Sequence, residues 1–89
     1  MRETIEGQGE LENLADPEKR WTVHYRFDIT TKIVERPGLP REAAHKQSTG
    51  RIRSAAGENF APGYYRLYAA GGEVLNVQSY GNMWVILAS

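Results

Sequence analysis

Arginine and tyrosine side chains recur in this 89-residue chain, and the two types together could bind a nucleic acid. Small β-barrels bind single-stranded nucleic acids by stacking the bases on aromatic rings, while arginine and lysine neutralise the phosphates. The candidates for this chemistry are Arg26, Arg51, Arg53, Tyr64 and Tyr68. The isoelectric point of about 6.7 argues against it, because nucleic-acid-binding domains are typically basic, with values above about 9. Single-stranded nucleic-acid binding is therefore our second hypothesis.

The last apolar run, MWVIL at residues 83–87, favours a protein partner. It lacks polar alternation, and continuous apolar runs are typical of strands covered on both faces. In a domain this small, we expect the second face of this strand to be covered by a protein partner or by another copy of the chain, in contact with Met83 and Val85. The simpler alternative is that both residues are exposed, since much protein surface is apolar.

The segment IEGQGELEN, residues 5–13, contains two glycines with the spacing of a dinucleotide-binding loop. The G-x-G-x-x-G fingerprint needs a third glycine at position 12, which is Glu12 here, and acidic residues flank the pair. Gly7 and Gly9 instead share one parity with the apolar residues beside them. This predicts a strand that bends where an aromatic ring lies over bare backbone. The rings that could supply this contact are Trp21, Tyr25 and Trp84.

No pattern in the sequence indicates catalysis or a metal site. The chain has two histidines and no cysteine. His24 lies on the polar side of an alternating segment and His45 in the central segment, without the ligand spacing of a zinc site. No serine lies in a nucleophile elbow of the G-x-S-x-G type. We therefore expect a protein that is not an enzyme and that needs no metal or other cofactor.

The elements that position these residues are strands. In WTVHYRFDITTKI, residues 21–33, apolar residues occupy nearly all odd positions and polar residues the even ones. Such alternation, rich in aromatic and β-branched residues, predicts a long strand with one buried face. Near the C-terminus, the dipeptides at 71–72 and 81–82 predict turns between three further strands. Alternation within the first of these strands predicts a core position for Tyr65.

The middle of the chain is less regular. Two prolines exclude regular structure over residues 36–40, REAAHKQ at 41–47 predicts at most a short helix, and GRIRSA at 50–55 predicts a short edge strand. With an N-terminal strand, this makes five or six strands and no long helix. We expect an all-β fold, a small barrel of the OB-like or SH3-like kind with a β-sandwich as the alternative, formed by one domain over residues 1–89.

The charge distribution and composition indicate which partners and which cellular location to expect. The net charge is zero, but acids concentrate in residues 1–20 and bases in residues 32–53. Cross-strand pairing explains this division better than a polyanion-binding face does. No apolar stretch approaches the roughly 18 residues of a membrane span, so we expect a cytoplasmic protein without a membrane partner. Our first hypothesis is a non-enzymatic module for protein–protein interaction or self-association.

Overall fold

The structure is a computed structural model that describes residues 2–33 and 44–87, and these residues form six strands in one antiparallel sheet. The strands are β1 (Arg2–Asn13), β2 (Asp16–Ile33), β3 (Ala44–Ser54), β4 (Gly63–Ala69), β5 (Val74–Ser79) and β6 (Trp84–Ile86). They close into a barrel in the order β1-β2-β3-β6-β5-β4, and β4 pairs with β1. The predicted all-β small barrel is confirmed, and the sheet does not split into a sandwich.

β1 and β2 form a long hairpin whose register follows the alternation of the sequence. Ile5 lies opposite Phe27, and Gly9 lies opposite Val23. Val23 and Phe27 are fully buried, whereas His24 between them is exposed. Each buried side chain of this kind stabilises the fold by about 1.5–3 kcal/mol. The apolar side of the pleat therefore forms the inner wall of the barrel, as the period of two predicts.

The core lies inside the barrel and receives a side chain from every strand. Its buried apolar members are Leu11, Val23, Phe27, Ile52, Tyr65, Leu67, Val77 and Trp84. The barrel closes where the second half of β1 pairs with β4, with Leu11 opposite Leu67. Packing of these facing leucines makes the closing strand pair part of the core.

The two glycines of β1 allow close contacts of different kinds. The ring of Tyr25 lies over Gly7, and its hydroxyl oxygen would be 3.0 Å from a Cβ at that position. The predicted aromatic ring over bare backbone is thus confirmed there. A Cβ on Gly9 would collide with the carbonyl oxygen of Tyr68 in β4. Gly9 therefore lets two strand backbones approach each other where the barrel closes.

A cluster of aromatic rings packs within the barrel. Phe60, in the connection between β3 and β4, packs edge-on against Trp21 and Trp84, with ring centroids 5.1 Å and 5.7 Å away. The hydroxyl of Tyr65 donates a hydrogen bond to the carbonyl of Ala61 at 2.8 Å. Burial raises the pKa of the Tyr65 phenol above its ordinary value, which keeps the phenol neutral. The core position predicted for Tyr65 is confirmed.

The barrel continues into a three-stranded extension, which we call the arm: residues 2–8 of β1, 28–33 of β2 and 44–49 of β3. Pairing of β1 with β4 starts at Gly9, and the β3–β6 pairing is at Gly50 opposite Trp84. Ser48 adds to this junction, because its hydroxyl accepts a hydrogen bond from the Ile86 N–H at 2.8 Å. In the described parts of the chain, the β1 segment of the arm pairs with β2 alone.

β3 differs from the prediction in length and position. It spans eleven residues and lies between β2 and β6 in the closed sheet, so the edge position predicted for residues 50–55 is wrong; residues 44–49 pair in register with β2 and belong to the arm. The loop with at most a short helix that we expected over residues 41–47 is wrong at 44–47, which are extended; the rest of that segment and the irregular segment at 36–40 lie outside the described residues. The physical reason is that the long β2 offers a backbone partner to each β3 residue, as far as Ala44 opposite Ile33. An isolated helical turn has no comparable support.

The three C-terminal strands form the predicted meander, β4-β5-β6. Gly72 and Gly81, in the two predicted turns, have φ angles of 94° and 100°. Glycine adopts this left-handed region without a steric penalty. β6 is only three residues long, shorter than the apolar run of the sequence suggests.

Candidate binding surface

Arg26, Arg51 and Arg53 lie together on the outer face of the barrel, and we call these three residues the arginine surface. Arg26 in β2 is directly opposite Arg51 in β3, and Arg53 is directly opposite His24. All three arginines are exposed. They share one face because alternate residues of each strand point inward, and the inward positions hold core residues such as Ile52.

Among the described residues, the arginine surface forms no ion pair with a neighbouring carboxylate. Other arginines of the described chain do have carboxylate partners: Arg2 with Asp28, Arg20 with Glu10 and Glu12, and Arg66 with Glu12. Like charges directly opposite each other in a sheet are destabilising. An anion bound between Arg26 and Arg51 would remove this repulsion.

Shallow depressions open to solvent along this surface. One, of about 570 Å³, is lined by Arg26, Asp28, Thr49, Gly50, Arg51, Asn82 and Met83. Two neighbouring depressions of about 310 Å³ each extend it to Arg53, His24 and Glu6. Small-molecule sites are typically concave and enclose most of the ligand, whereas these depressions are open to solvent.

The rim of the arginine surface carries polar residues of β1 and β2. Glu6 is directly opposite Arg26 and is the carboxylate of β1 closest to it in register. His24 Nε2 lies 2.9 Å from the side-chain amide nitrogen of Gln8, so an unprotonated Nε2 accepts a hydrogen bond there. Asp28 is engaged by the Thr4 hydroxyl, at 2.8 Å. Three guanidinium groups thus face two carboxylates, one of them already hydrogen-bonded.

The two tyrosines predicted to act with these arginines lie elsewhere. Tyr64 and Tyr68 are in β4, and β1 separates β4 from β2. The Tyr68 ring already has the Arg20 guanidinium 5.5 Å from its centroid, and its hydroxyl donates to Glu12 at 3.4 Å. Tyr64 is exposed, in register with Gln78 of β5. The structure therefore brings the predicted arginines together and places the predicted stacking rings away from them.

Of the two residues predicted for self-association, Met83 lies beside the arginine surface. Met83 is 42% exposed and lines the depression of about 570 Å³ together with Arg51. Val85, two residues along, is half-buried in β6 opposite Gln78. Met83, which the sequence suggests as part of a separate site, thus belongs to the same surface as the arginines.

Sequence reasoning missed the residues that join these two sites. Thr49 and Gly50 of β3 and Asn82 of the β5–β6 turn line the depression between Arg51 and Met83. They meet only because Gly50 pairs with Trp84, a contact between residues far apart in the chain. The isolated glycine at position 50 is the one local signal that a close approach of backbones occurs here.

In the part of the chain that the structure describes, no group of three or more acidic or histidine side chains is arranged to hold a metal ion. The same residues include no helix with the length and hydropathy needed to cross a membrane. Comparison of the chain with protein-family models, curated proteins and solved structures gives no significant match.

Proposed function

We propose that the protein is a non-enzymatic binding module that uses the arginine surface and Met83 to bind an acidic segment of another protein. The observation that carries this proposal is the set of three exposed arginines without ion-pair partners in the described chain, next to an exposed apolar side chain. Guanidinium groups form strong bidentate hydrogen bonds with carboxylates. A flexible methionine accommodates varied apolar partners.

The spacing of the arginines suggests the form of the ligand. Arg51 and Arg53 are two residues apart on one face of β3, roughly 6.6 Å along the strand. An extended peptide has the same repeat, so acidic residues at alternate positions would face both guanidinium groups. The intervening apolar side chains would point elsewhere, and one beyond the acidic pair could pack on Met83. An extended segment that alternates acidic and apolar residues is the best match.

Self-association through this surface is less favourable than binding of a different protein. A two-fold contact centred on Met83 and Val85 brings the same surface of both copies together. The arginine surfaces of the two copies would then face each other, and the carboxylates beside them are too few to neutralise their positive charge. We therefore assign this surface to an acidic partner and not to a second copy.

Substitution of the arginines tests the proposal. We expect a short labelled peptide of alternating Glu and Leu to bind the native protein, and Arg51→Ala with Arg53→Ala to weaken binding more than about tenfold. Each hydrogen bond to a charged group contributes about 1.5–3 kcal/mol, and about 1.4 kcal/mol corresponds to a factor of ten. Fluorescence anisotropy measures the affinity.

Lys19→Ala is the matched control, because Lys19 is an exposed cation of β2 outside the arginine surface. It should change the affinity little. Equal affinities for the native protein and the double arginine variant would refute the proposal.

Binding of single-stranded nucleic acid is the second candidate, and Tyr80 favours it. This ring is 54% exposed and directly precedes Gly81 and Asn82, which line depressions beside Arg51. It is thus an exposed aromatic residue close in sequence to the arginine surface. Affinity for an oligothymidylate should then fall steeply with salt and fall again in the double arginine variant. No binding at about 50 mM salt would exclude this candidate.

A further inference from the structure

The arm leaves one side of β1 without a partner strand. Residues 2–8 of β1 pair with β2, and within the described chain their other side is unpaired up to Gln8, whose carbonyl accepts a hydrogen bond from the Ala70 N–H at 3.1 Å. In an antiparallel strand, both backbone groups of a residue point to the same side, and the side alternates. The backbone groups of Arg2, Thr4 and Glu6 therefore point to the unpaired side.

This edge lacks three of the usual protections against pairing with another chain. Natural edge strands are blunted by proline, by bulges or by short length. The β1 register runs without interruption from Arg2 to Glu12, and residues 2–8 contain no proline. Its charged residues are of both signs: Arg2 and Glu6 lie on either side of Thr4 on one face of the strand, and Glu3 lies on the face of Ile5. Such a distribution does not repel a second copy if the register brings unlike charges together.

We propose that β1 pairs antiparallel with β1 of a second copy, across a two-fold axis at Thr4. In this register Arg2 lies opposite Glu6 of the second copy, and the reciprocal pair forms by symmetry. Thr4 lies opposite Thr4, and both charge and threonine pairs are favourable cross-strand neighbours. The three edge-facing residues of each copy exchange backbone hydrogen bonds, and the two arms become one six-stranded sheet.

The charge pattern selects this register over its neighbours. A slide of one β1 by two residues places Arg2 opposite Gln8 in one direction and opposite Thr4 in the other, and neither register forms an ion pair. A slide by four residues places Glu6 opposite Glu6 or Arg2 opposite Arg2, and like charges directly opposite are destabilising. The favoured register also makes the two Ile5 side chains diagonal neighbours on the inner side of the joined arms, where Ile5 and Ile29 are half-buried. This pairing uses the β1 edge and does not depend on the proposed ligand of the arginine surface.

A single introduced cysteine tests both the contact and its register. The chain has no cysteine, so Thr4→Cys provides the only thiol. Directly opposed hydrogen-bonded residues have Cα atoms about 5.5 Å apart, within the range that a disulfide spans. Mild oxidation should therefore convert Thr4→Cys to a covalent dimer on a non-reducing gel. Thr22→Cys is the control, because Thr22 is exposed on β2 beside the closed part of the barrel. Equal yields from both variants, or no dimer from Thr4→Cys, would overturn the proposal.

Charge exchange provides a second test that does not rely on oxidation. In sedimentation equilibrium, Arg2→Glu should weaken dimerisation about tenfold, because it replaces two favourable pairs with two repulsive ones. Arg2→Glu combined with Glu6→Arg should restore the dimer, since the pairs re-form with reversed polarity. Thermal unfolding of each variant shows that the barrel is intact. A native protein that remains monomeric at its highest soluble concentration, or a double variant as weak as the single one, refutes the contact.

Discussion

Gly50 lies where β2, β3 and β6 meet, and the barrel leaves no room for a side chain at this residue. It is opposite Phe27 of β2 and opposite Trp84 of β6. A Cβ at this position would collide with the Arg26 carbonyl oxygen and with the Phe27 ring. The backbone carbonyl cannot move without disturbing the β2–β3 ladder, and the ring is part of the core.

We expect Gly50→Ala to destabilise the protein by about 2 kcal/mol, because adding a methyl group to a filled site costs about 1–3 kcal/mol. Chemical denaturation followed by tryptophan fluorescence measures the change. Gly71→Ala is the matched control, since no described atom lies within 4 Å of the Cβ it would add. Its midpoint should remain that of the native protein. A Gly50→Ala midpoint equal to the control value would show that the junction is looser than the structure indicates.

The residue scale also shows the limit of sequence reasoning about the site. The alternation around Arg26, and that around Arg51 and Arg53, indicates that these side chains point outward, and the structure agrees. The assignment of Tyr64 and Tyr68 to the same surface used proximity in the sequence. Proximity of this kind does not determine which strands become neighbours in a closed sheet, and β4 pairs with β1 and β5.

At the scale of elements, the closing pair of β1 and β4 depends on a buried carboxylate. The Glu12 side chain is 8% exposed, and it accepts a hydrogen bond from the Arg20 guanidinium at 2.7 Å. Arg66 of β4 lies 4.0 Å from its other oxygen. Glu12 thus connects β2, β1 and β4 through charge-assisted contacts across the line where the barrel closes.

Glu12→Ala should destabilise the barrel by about 2 kcal/mol, in line with hydrogen bonds to charged groups. Glu10→Ala is the control with the same partner, because Glu10 lies 3.6 Å from Arg20 but its side chain is 56% exposed. Exposed ion pairs contribute less than about 1 kcal/mol, so this variant should unfold close to the native midpoint. The two variants are compared by urea denaturation. Equal losses of unfolding free energy in the two variants would mean that burial of Glu12 adds nothing to the stability of the closing strand pair.

Strands and turns that a local sequence pattern marks were predictable. Strands whose extent depends on pairing with residues distant in the sequence were not. The alternation of β2 and the turn glycines at 72 and 81 are local, and they predict the long strand and the meander. The residues of β3 at 44–47 carry helix-forming side chains and become a strand because β2 pairs with them. β6 ends after three residues, and its pairing with β3 rests on one register pair and the Ser48 hydroxyl.

At the scale of the whole molecule, the two proposed contacts use different parts of the sheet. The arginine surface lies on the outer face of β2 and β3, where the barrel meets the arm, and the free edge lies along β1. The two sites share Glu6, which lines a depression beside the arginines. When Glu6 pairs with Arg2 of a second copy, less of its negative charge remains available to the arginine surface. Dimerisation should therefore favour the binding of an acidic ligand.

Pairing through β1 also couples folding to protein concentration. Association that stabilises only the folded state raises the melting temperature as concentration rises, by about 3 °C for each tenfold increase in a domain of this size. Thr4→Pro should abolish this dependence, because proline removes the N–H that points to the unpaired side and leaves the β2 ladder in place. Thr4→Ala is the control, since it loses the same hydrogen bond to Asp28 but retains the N–H. Differential scanning calorimetry over a concentration series measures the slope. The native protein and Thr4→Ala should share a positive slope that Thr4→Pro lacks, and a flat line for all three would exclude a dimer at these concentrations.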